Sequence, residues 1–187
     1  MTVASERVTR VRPVILEGRY VRLEPLTPGH ARALAAAAAG PRETYALTTV
    51  PEGEPGTRGY IDTALRDQEA GRSLPFATVA RSTGRVVGST RFLNIEFWTW
   101  PAGHALQRGE DVPDVVEIGA TWLAAEAQRT PINTEAKLLM LIHTEAKLLM
   151  LIHAFEEWRV HRVSLMTDAR NERSRNAILR VGARSTE

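Results

Sequence analysis

The chain has 187 residues, a formal net charge of +2 and no cysteine. This length provides for one domain with a sizeable core, and the lack of cysteine excludes disulfides, thiolate nucleophiles and thiolate metal sites. No apolar run approaches the roughly 20 residues that span a bilayer, and the N-terminus has no apolar signal core, so we expect a cytoplasmic protein. The arginines alternate with acidic residues, which favours a solvated surface over a nucleic-acid-binding stripe.

The first part of the chain predicts a strand followed by two helices. Residues 1–14 are polar and predict a flexible arm before a single domain over residues 15–187. Alternating polar and apolar residues over Arg19–Leu26 predict a half-buried strand. A helix is predicted from the N-cap Thr27 and Pro28 to a stop at Gly40, and a second helix over Thr57–Gly71.

The remaining elements complete a mixed α/β domain. Strands are predicted at Leu74–Arg81, Arg85–Phe97 and Val115–Leu123, the first two joined by a turn at Thr83–Gly84. A helix ending near Trp158, a strand at Arg162–Thr167 and a short helix at Asn171–Gly182 follow. Strands interspersed with helices predict one central sheet.

One ten-residue phrase, TEAKLLMLIH, occurs at Thr134–His143 and again at Thr144–His153. Ten extra helical residues add about 15 Å and leave the following residues about 80° out of phase, so both copies cannot occupy one helical position. One copy is extruded, or both form one helix of about 25 residues, or the packing fails locally. We favour the long helix, which would displace the strand at Arg162 and produce an intertwined dimer, and we interpret the repeat as an engineered or selected insertion.

The start of the duplicated helix is a candidate anion site. Asn133 or Thr134 can cap the helix and Glu135 lies in its first turn, while free backbone N–H groups attract negative charge. The alternative is a plain capped helix.

His143 and His153 are ten residues apart only because of the repeat, so no metal site is expected. Trp98, Trp100 and Trp122 are candidates either for an acceptor pocket or for packing.

Two stretches of the chain form motifs, one at Gln128–Asn133 and one over Asn171–Gly182. Both resemble motifs of the GNAT superfamily of N-acetyltransferases, in its RimJ/RimL-like group. The family's pyrophosphate loop, Q/R-x-x-G-x-G/A, is similar to Gln128–Asn133, although Pro131 and Asn133 stand where glycine or alanine is usual and Pro131 has no N–H. The family's closing motif resembles Asn171, Ser174, Ile178 and Gly182.

The resemblance implies a GNAT-like fold with splayed central strands, in which the strand at 117–123 leaves the strand at 162–167 and the gap admits the pantetheine arm of acetyl-CoA. It implies direct attack by a bound amine, without a covalent enzyme intermediate. Glu117 is the candidate base, or else a solvated or ion-paired carboxylate. Ser174 returns a proton to the thiolate, or Asn171 and Ser174 merely cap a helix. The cofactor-binding residues it implies are Thr121, Trp122, Leu123, Gln128, Arg129, Thr130, Ile132, Asn133, Thr134 and Asn171.

Three functions are compatible with these patterns. The first is an acetyl-CoA-dependent N-acetyltransferase that acts on a primary amine of a small molecule or a protein N-terminus, without metal. The second is a catalytically impaired duplication variant whose repeated helix drives dimerisation, and the third is a cofactor-binding regulatory module. Family members carry two more strands after the position of Gly182, so we also expect the C-terminal strands to be missing and Arg162–Thr167 to form a sheet edge.

Overall fold

The computed structural model describes residues 10–124 and 145–184. Its strands are β1 (Leu16–Glu17), β2 (Val21–Pro25), β3 (Leu74–Ala80), β4 (Arg85–Glu96), β5 (Val115–Leu123) and β6 (Arg162–Ser164). Its helices are α1 (Ala31–Ala37), α2 (Gly53–Glu69), α3 (145–152) and α4 (Glu172–Arg180). Short 3-10 turns lie at Pro28–His30 and Arg42–Tyr45, and a π-helical turn at His153–Glu157 continues α3.

The strands form one sheet in the order β1-β2-β3-β4-β5-β6. Neighbours are antiparallel through β5, whereas β6 is parallel to β5. A parallel pair requires a crossover, and α3 lies in the segment that makes it. The predicted mixed α/β fold is therefore confirmed. No described helix is long and apolar enough to cross a membrane.

Two apolar clusters cover opposite faces of the sheet. Alternate residues of a strand point to opposite faces, so Phe76 packs in the cluster with α3 while Ala77 packs in the cluster with α1 and α2. Burial of these faces supplies the main favourable free energy of folding.

Most predicted elements are found with small shifts. β5 has the predicted bounds, whereas the first helix begins as a 3-10 turn in which His30 Nδ1 accepts the Thr27 N–H, and α1 ends at Ala37 rather than Gly40. The last strand stops at Ser164 rather than Thr167, because the chain leaves β5 there. β1 was not predicted, because two residues are too few for an alternating pattern.

The second copy of the repeated phrase forms the helix that packs on the sheet. Ala146, Met150, Ala154 and Trp158 are spaced by four residues and are all buried in the cluster beneath α3. The first copy, residues 134–143, lies outside the described residues. The expected displacement of the strand at Arg162 is not found, because Arg162 is paired with Val115 of the same chain.

Glu145, the second residue of this copy, joins α3 to the bend between β1 and β2. Its carboxylate accepts the backbone N–H groups of Arg19, Tyr20 and Val21 at 2.7, 2.7 and 2.9 Å. A Cβ atom at Gly18 would lie 2.5 Å from the Glu145 Cδ atom, so glycine gives the carboxylate the space to reach these donors. A buried backbone N–H without a partner is unfavourable, and this one side chain satisfies three.

Lys147, two residues further on, is buried without a counter-charge among the described residues. Its side chain is 5% exposed, and burial lowers its pKa to about 8 from 10.5. Within residues 10–124 and 145–184 no carboxylate forms an ion pair with it. The fold therefore tolerates an unfavourable charge at this position.

We expect Glu145→Ala to lower the free energy of unfolding by about 2–4 kcal/mol, because it leaves three donors without their charged acceptor. Urea unfolding followed by circular dichroism measures the change. Glu135→Ala is the matched control, since it makes the same substitution in the first copy. Equal losses in the two variants would contradict selective use of the second copy.

We expect Lys147→Met to stabilise the fold at pH 7 by about 3 kcal/mol, the equivalent of lowering the lysine pKa from 10.5 to about 8. The folded chain binds this proton less tightly than the unfolded chain, so the cost is complete below about pH 8 and disappears as the pH rises to 10.5. The gain should therefore shrink between pH 7 and pH 10 in urea unfolding curves. Lys137→Met is the control, and a gain independent of pH would refute the assignment.

Candidate functional site

A cleft opens where β6 leaves β5. The two strands pair at only three positions, Val115 with Arg162, Val116 with Val163 and Glu117 with Ser164. Beyond Glu117, β5 continues to Leu123 with no described strand beside it on this edge. Along Ile118–Thr121 this edge faces a cleft of about 410 Å³ rather than another described strand.

A β-bulge bends β5 along this unpaired stretch. Ser89 is paired with Trp122 and Arg91 with Gly119, so Ala120 and Thr121 together oppose Thr90. Ala120 has the left-handed φ of 47°, which is typical of a bulge that increases strand twist. The hydroxyls of Thr90 and Thr121 lie 2.8 Å apart and fix the bulged residue to β4.

The cleft is lined from several elements that lie far apart in sequence. Its walls are the bulged part of β5, the chain after β6, one face of α4 with its N-cap, the loop before α2, and single side chains of α2, β4 and α3. The lining residues are Leu47, Thr48, Thr49, Tyr60, Arg91, Ile118, Gly119, Ala120, Thr121, Lys147, Leu165, Met166, Thr167, Asp168, Asn171, Ser174 and Ile178.

Asn171 and Ser174 meet in this cleft and also cap α4. The Asn171 side-chain oxygen accepts the Ser174 backbone N–H at 3.1 Å, which is the usual bond of an asparagine N-cap. Both residues line the cleft. The capping role predicted as the simpler alternative is thus present, and it places both side chains where a ligand can meet them.

Asp168 adds a negative charge at the mouth of the cleft. Hydrogen bonds from the Arg170 side chain and backbone lower the Asp168 pKa to about 2. The carboxylate is thus ionised and already bound by a guanidinium.

Glu117 lies behind the cleft wall. Its side chain is 8% exposed, Oε2 accepts the Asn94 amide N–H at 2.7 Å, and it does not line the cleft. A Cβ atom at Gly119 would lie 2.9 Å from Glu117 Oε1. Gly119, which lines the cleft, is therefore next to this carboxylate, together with the Leu93 side chain.

The other predicted cofactor-binding residues divide into three groups. Thr121 lines the cleft. The side chains of Trp122 and Leu123 are buried in the clusters on opposite faces of the sheet, so only their backbone can reach a ligand. The loop and helix start, Gln128, Arg129, Thr130, Ile132, Asn133 and Thr134, lie outside the described residues.

Trp98 and Trp100 do not reach the cleft. The Trp98 backbone N–H and the Trp100 indole N–H donate to Asp114 at 2.7 and 2.8 Å, and His161 stacks on Trp98. Burial by itself would raise the Asp114 pKa, but these hydrogen bonds and Arg108 lower it below its ordinary value. Both tryptophans therefore take part in loop packing rather than in an acceptor pocket. Among the described residues, no group of three or more His, Asp or Glu side chains could hold a metal ion.

Sequence reasoning missed Arg91, Tyr60 and Lys147. The Arg91 guanidinium lies over the Tyr60 ring at 4.7 Å, and Arg91 is paired with Gly119 across the bulged strands. The pairing of β4 with β5 is what places Arg91 beside Gly119 in the cleft wall. No motif in the sequence signals it, although a single arginine in an otherwise apolar or small strand segment was a usable hint.

Comparisons with known proteins agree with this architecture. Among solved structures, a GCN5-related N-acetyltransferase from Brucella melitensis is 25% identical over 94% of this chain and 70% of that chain, with a TM-score of 0.71. RimL, a ribosomal L7/L12 alpha-N-protein acetyltransferase, is 15% identical over 90% and 79% of the two chains, with a TM-score of 0.66. Mycobacterium smegmatis RimJ in complex with CoA-disulfide is 20% identical over 89% and 71%, with a TM-score of 0.64.

At 15% and 20% identity, the similarities to RimL and RimJ show the fold alone. No curated protein sequence matches the chain significantly. The family model described as acetyltransferase (GNAT) domain matches residues 21–184, which is most of the chain and includes the whole cleft described above. The chain belongs to the GNAT family of N-acetyltransferases.

Proposed function

We propose that the chain transfers the acetyl group of acetyl-CoA to a primary amine in the cleft between β5 and β6. The observation that carries the proposal is the separation of these strands after Glu117 and Ser164, with Asn171 and Ser174 across the gap. The edge of β5 at Ile118–Thr121 has alternating N–H and C=O groups that face the cleft, and these suit the two amides of a pantetheine arm as an added strand would.

The family resemblance assigns residues to both parts of the cofactor. The main chain of Thr121, Trp122 and Leu123 would pair with the arm. The pyrophosphate would be held by residues that lie outside the described part of the chain, Gln128, Arg129, Thr130, Ile132, Asn133 and Thr134. The bound cofactor supplies an acetyl thioester.

The chain's residues then position groups and move protons. Holding the amine beside the thioester supplies much of the rate through proximity. The Ser174 hydroxyl donates a proton to the leaving sulfur and regains one from water, and the Asn171 amide orients the thioester. Glu117 is the proposed base, and because it lies behind Gly119 it takes the amine proton through a water.

The acceptor is an amine of a small molecule or of a protein N-terminus. The resemblance of the fold to RimL, whose structure is described as an alpha-N-protein acetyltransferase, supports including protein N-termini in the acceptor panel. The loop at 98–113 does not line the cleft, so the residues around Thr49, Tyr60 and Arg91 are the better candidates for acceptor selection.

Calorimetry with acetyl-CoA and a thiol-release assay over a panel of amines test the proposal. The chain has no cysteine, so a thiol reagent detects only the released CoA. We expect Ser174→Ala to lower kcat by about 100-fold with little change in acetyl-CoA affinity, and Ser82→Ala, in the exposed turn between β3 and β4, to have no effect. Absence of acetyl-CoA binding would end the proposal.

We also propose that the exposed face of α3 associates with a second copy of the chain. Leu148, Ile152 and Phe155 share one helical face and are 49%, 49% and 45% exposed, which is unusual for large apolar side chains so close together.

Light scattering of Leu148→Glu/Ile152→Glu against the parent chain tests this association. We expect the parent to have the mass of a dimer and the variant that of a monomer. The same monomeric mass for both would refute the association.

A further inference from the structure

Arg91 is a buried arginine between two cavities. Its side chain is 7% exposed, and it lines both the cleft and a second cavity of about 360 Å³ against α2. Gly56 and Gly59 line this second cavity, and a Cβ atom at either position would meet nothing within 4 Å. Both glycines thus leave open space on the α2 side of this cavity, which Tyr60 and Thr63 also line.

The charge of Arg91 has no partner in the part of the chain that the structure describes. Its Nε atom is buried without a hydrogen bond, and no described carboxylate pairs with it. Glu117 lies on the same face of the sheet, but it is bound by Asn94. Asp168 also lines the cleft, but it is bound by Arg170. A buried cation without a counter-ion is costly, and a ligand anion would remove that cost.

The surroundings hold Arg91 in place before any ligand arrives. Its guanidinium lies over the Tyr60 ring, and the Tyr60 hydroxyl donates to Ser89 Oγ at 3.0 Å. Ser89 Oγ in turn donates to the Phe76 carbonyl at 2.9 Å. This chain of hydrogen bonds fixes the ring, and the ring supports the planar cation. A guanidinium held in this way can bind a carboxylate or phosphate with two parallel hydrogen bonds.

We propose that Arg91 binds an anionic group of the amine acceptor, so that the cleft selects primary amines that also carry a carboxylate or phosphate. The inference rests on the proposed function, and it deepens it by naming the class of acceptor. The amine enters the cleft beside the bulge of β5, and the acidic group lies between Arg91 and the glycine-lined face of α2.

Matched pairs of acceptors test this selection. The pairs are β-alanine and its amide, phosphoethanolamine and ethanolamine, and two tetrapeptides that differ by glutamate or glutamine at the second position. With acetyl-CoA, we expect kcat/KM for the acidic member of at least one pair to exceed that of its neutral partner by about 10- to 100-fold. The three pairs distinguish a carboxylate on a small molecule, a phosphate and an acidic peptide.

Two variants assign the preference to the guanidinium. Arg91→Gln should abolish the preference, because it raises KM for the acidic member more than KM for the neutral one. Arg91→Lys keeps the charge without the two-pronged geometry and should retain part of the preference. Arg85→Gln, at the exposed start of β4, is the control. If Arg91 only stabilised the fold, Arg91→Gln would lower kcat/KM equally for the acidic and the neutral member of a pair. That result would overturn the inference.

A binding measurement separates this inference from the proposed function. Calorimetry of the full chain without acetyl-CoA, using β-alanine, phosphoethanolamine, the acidic tetrapeptide and their neutral partners, should show tighter binding of at least one acidic ligand. Turnover of acetyl-CoA with equal kcat/KM for the members of every pair would overturn the role of Arg91 alone. Failure to bind acetyl-CoA would overturn the proposed function, while the calorimetry would still decide whether Arg91 binds an anion.

Discussion

The separation of β5 from β6 is the constraint on which the rest of the site depends. The strands share three paired positions, and the bulge opposite Thr90 then bends β5 while the chain after Ser164 turns toward α4. A bulge adds twist and leaves backbone groups unpaired. Here these groups form one wall of a cleft. The bulge therefore makes part of the edge of β5 accessible to a ligand.

Helix α3 covers the face of the sheet that is opposite α1 and α2. Its core residues cover the sheet through Met150 and Trp158, and Glu145 fixes its first turn to the bend before β2. The same turn brings Lys147 into the cleft wall, where no carboxylate of the described residues pairs with it. The start of α3 thus combines a strongly stabilising contact with an unfavourable one, as is common where a fold borders a binding site.

Most of the fold could be predicted because periodicity and turn residues agree along the chain. Val115–Leu123 has the apolar run of a central strand, and Thr83–Gly84 marks the turn between β3 and β4 through a glycine with positive φ. The early end of β6 could not be predicted, because it depends on where the chain leaves β5, and no turn residue at 165–167 signals that point. The choice between the two repeat copies could not be predicted either, because their sequences are identical.

The sequence by itself determined the order of elements, the GNAT resemblance and the cap formed by Asn171 and Ser174, because each depends on residues close together along the chain. Tertiary structure alone decided that Arg91 lies against Tyr60 and opposite Gly119, and that Glu117 lies behind the cleft wall. The physical reason is that register between strands and burial against helices are set by contacts distant in sequence. A strand's own residues specify its alternation, but they do not specify which neighbour each side chain meets.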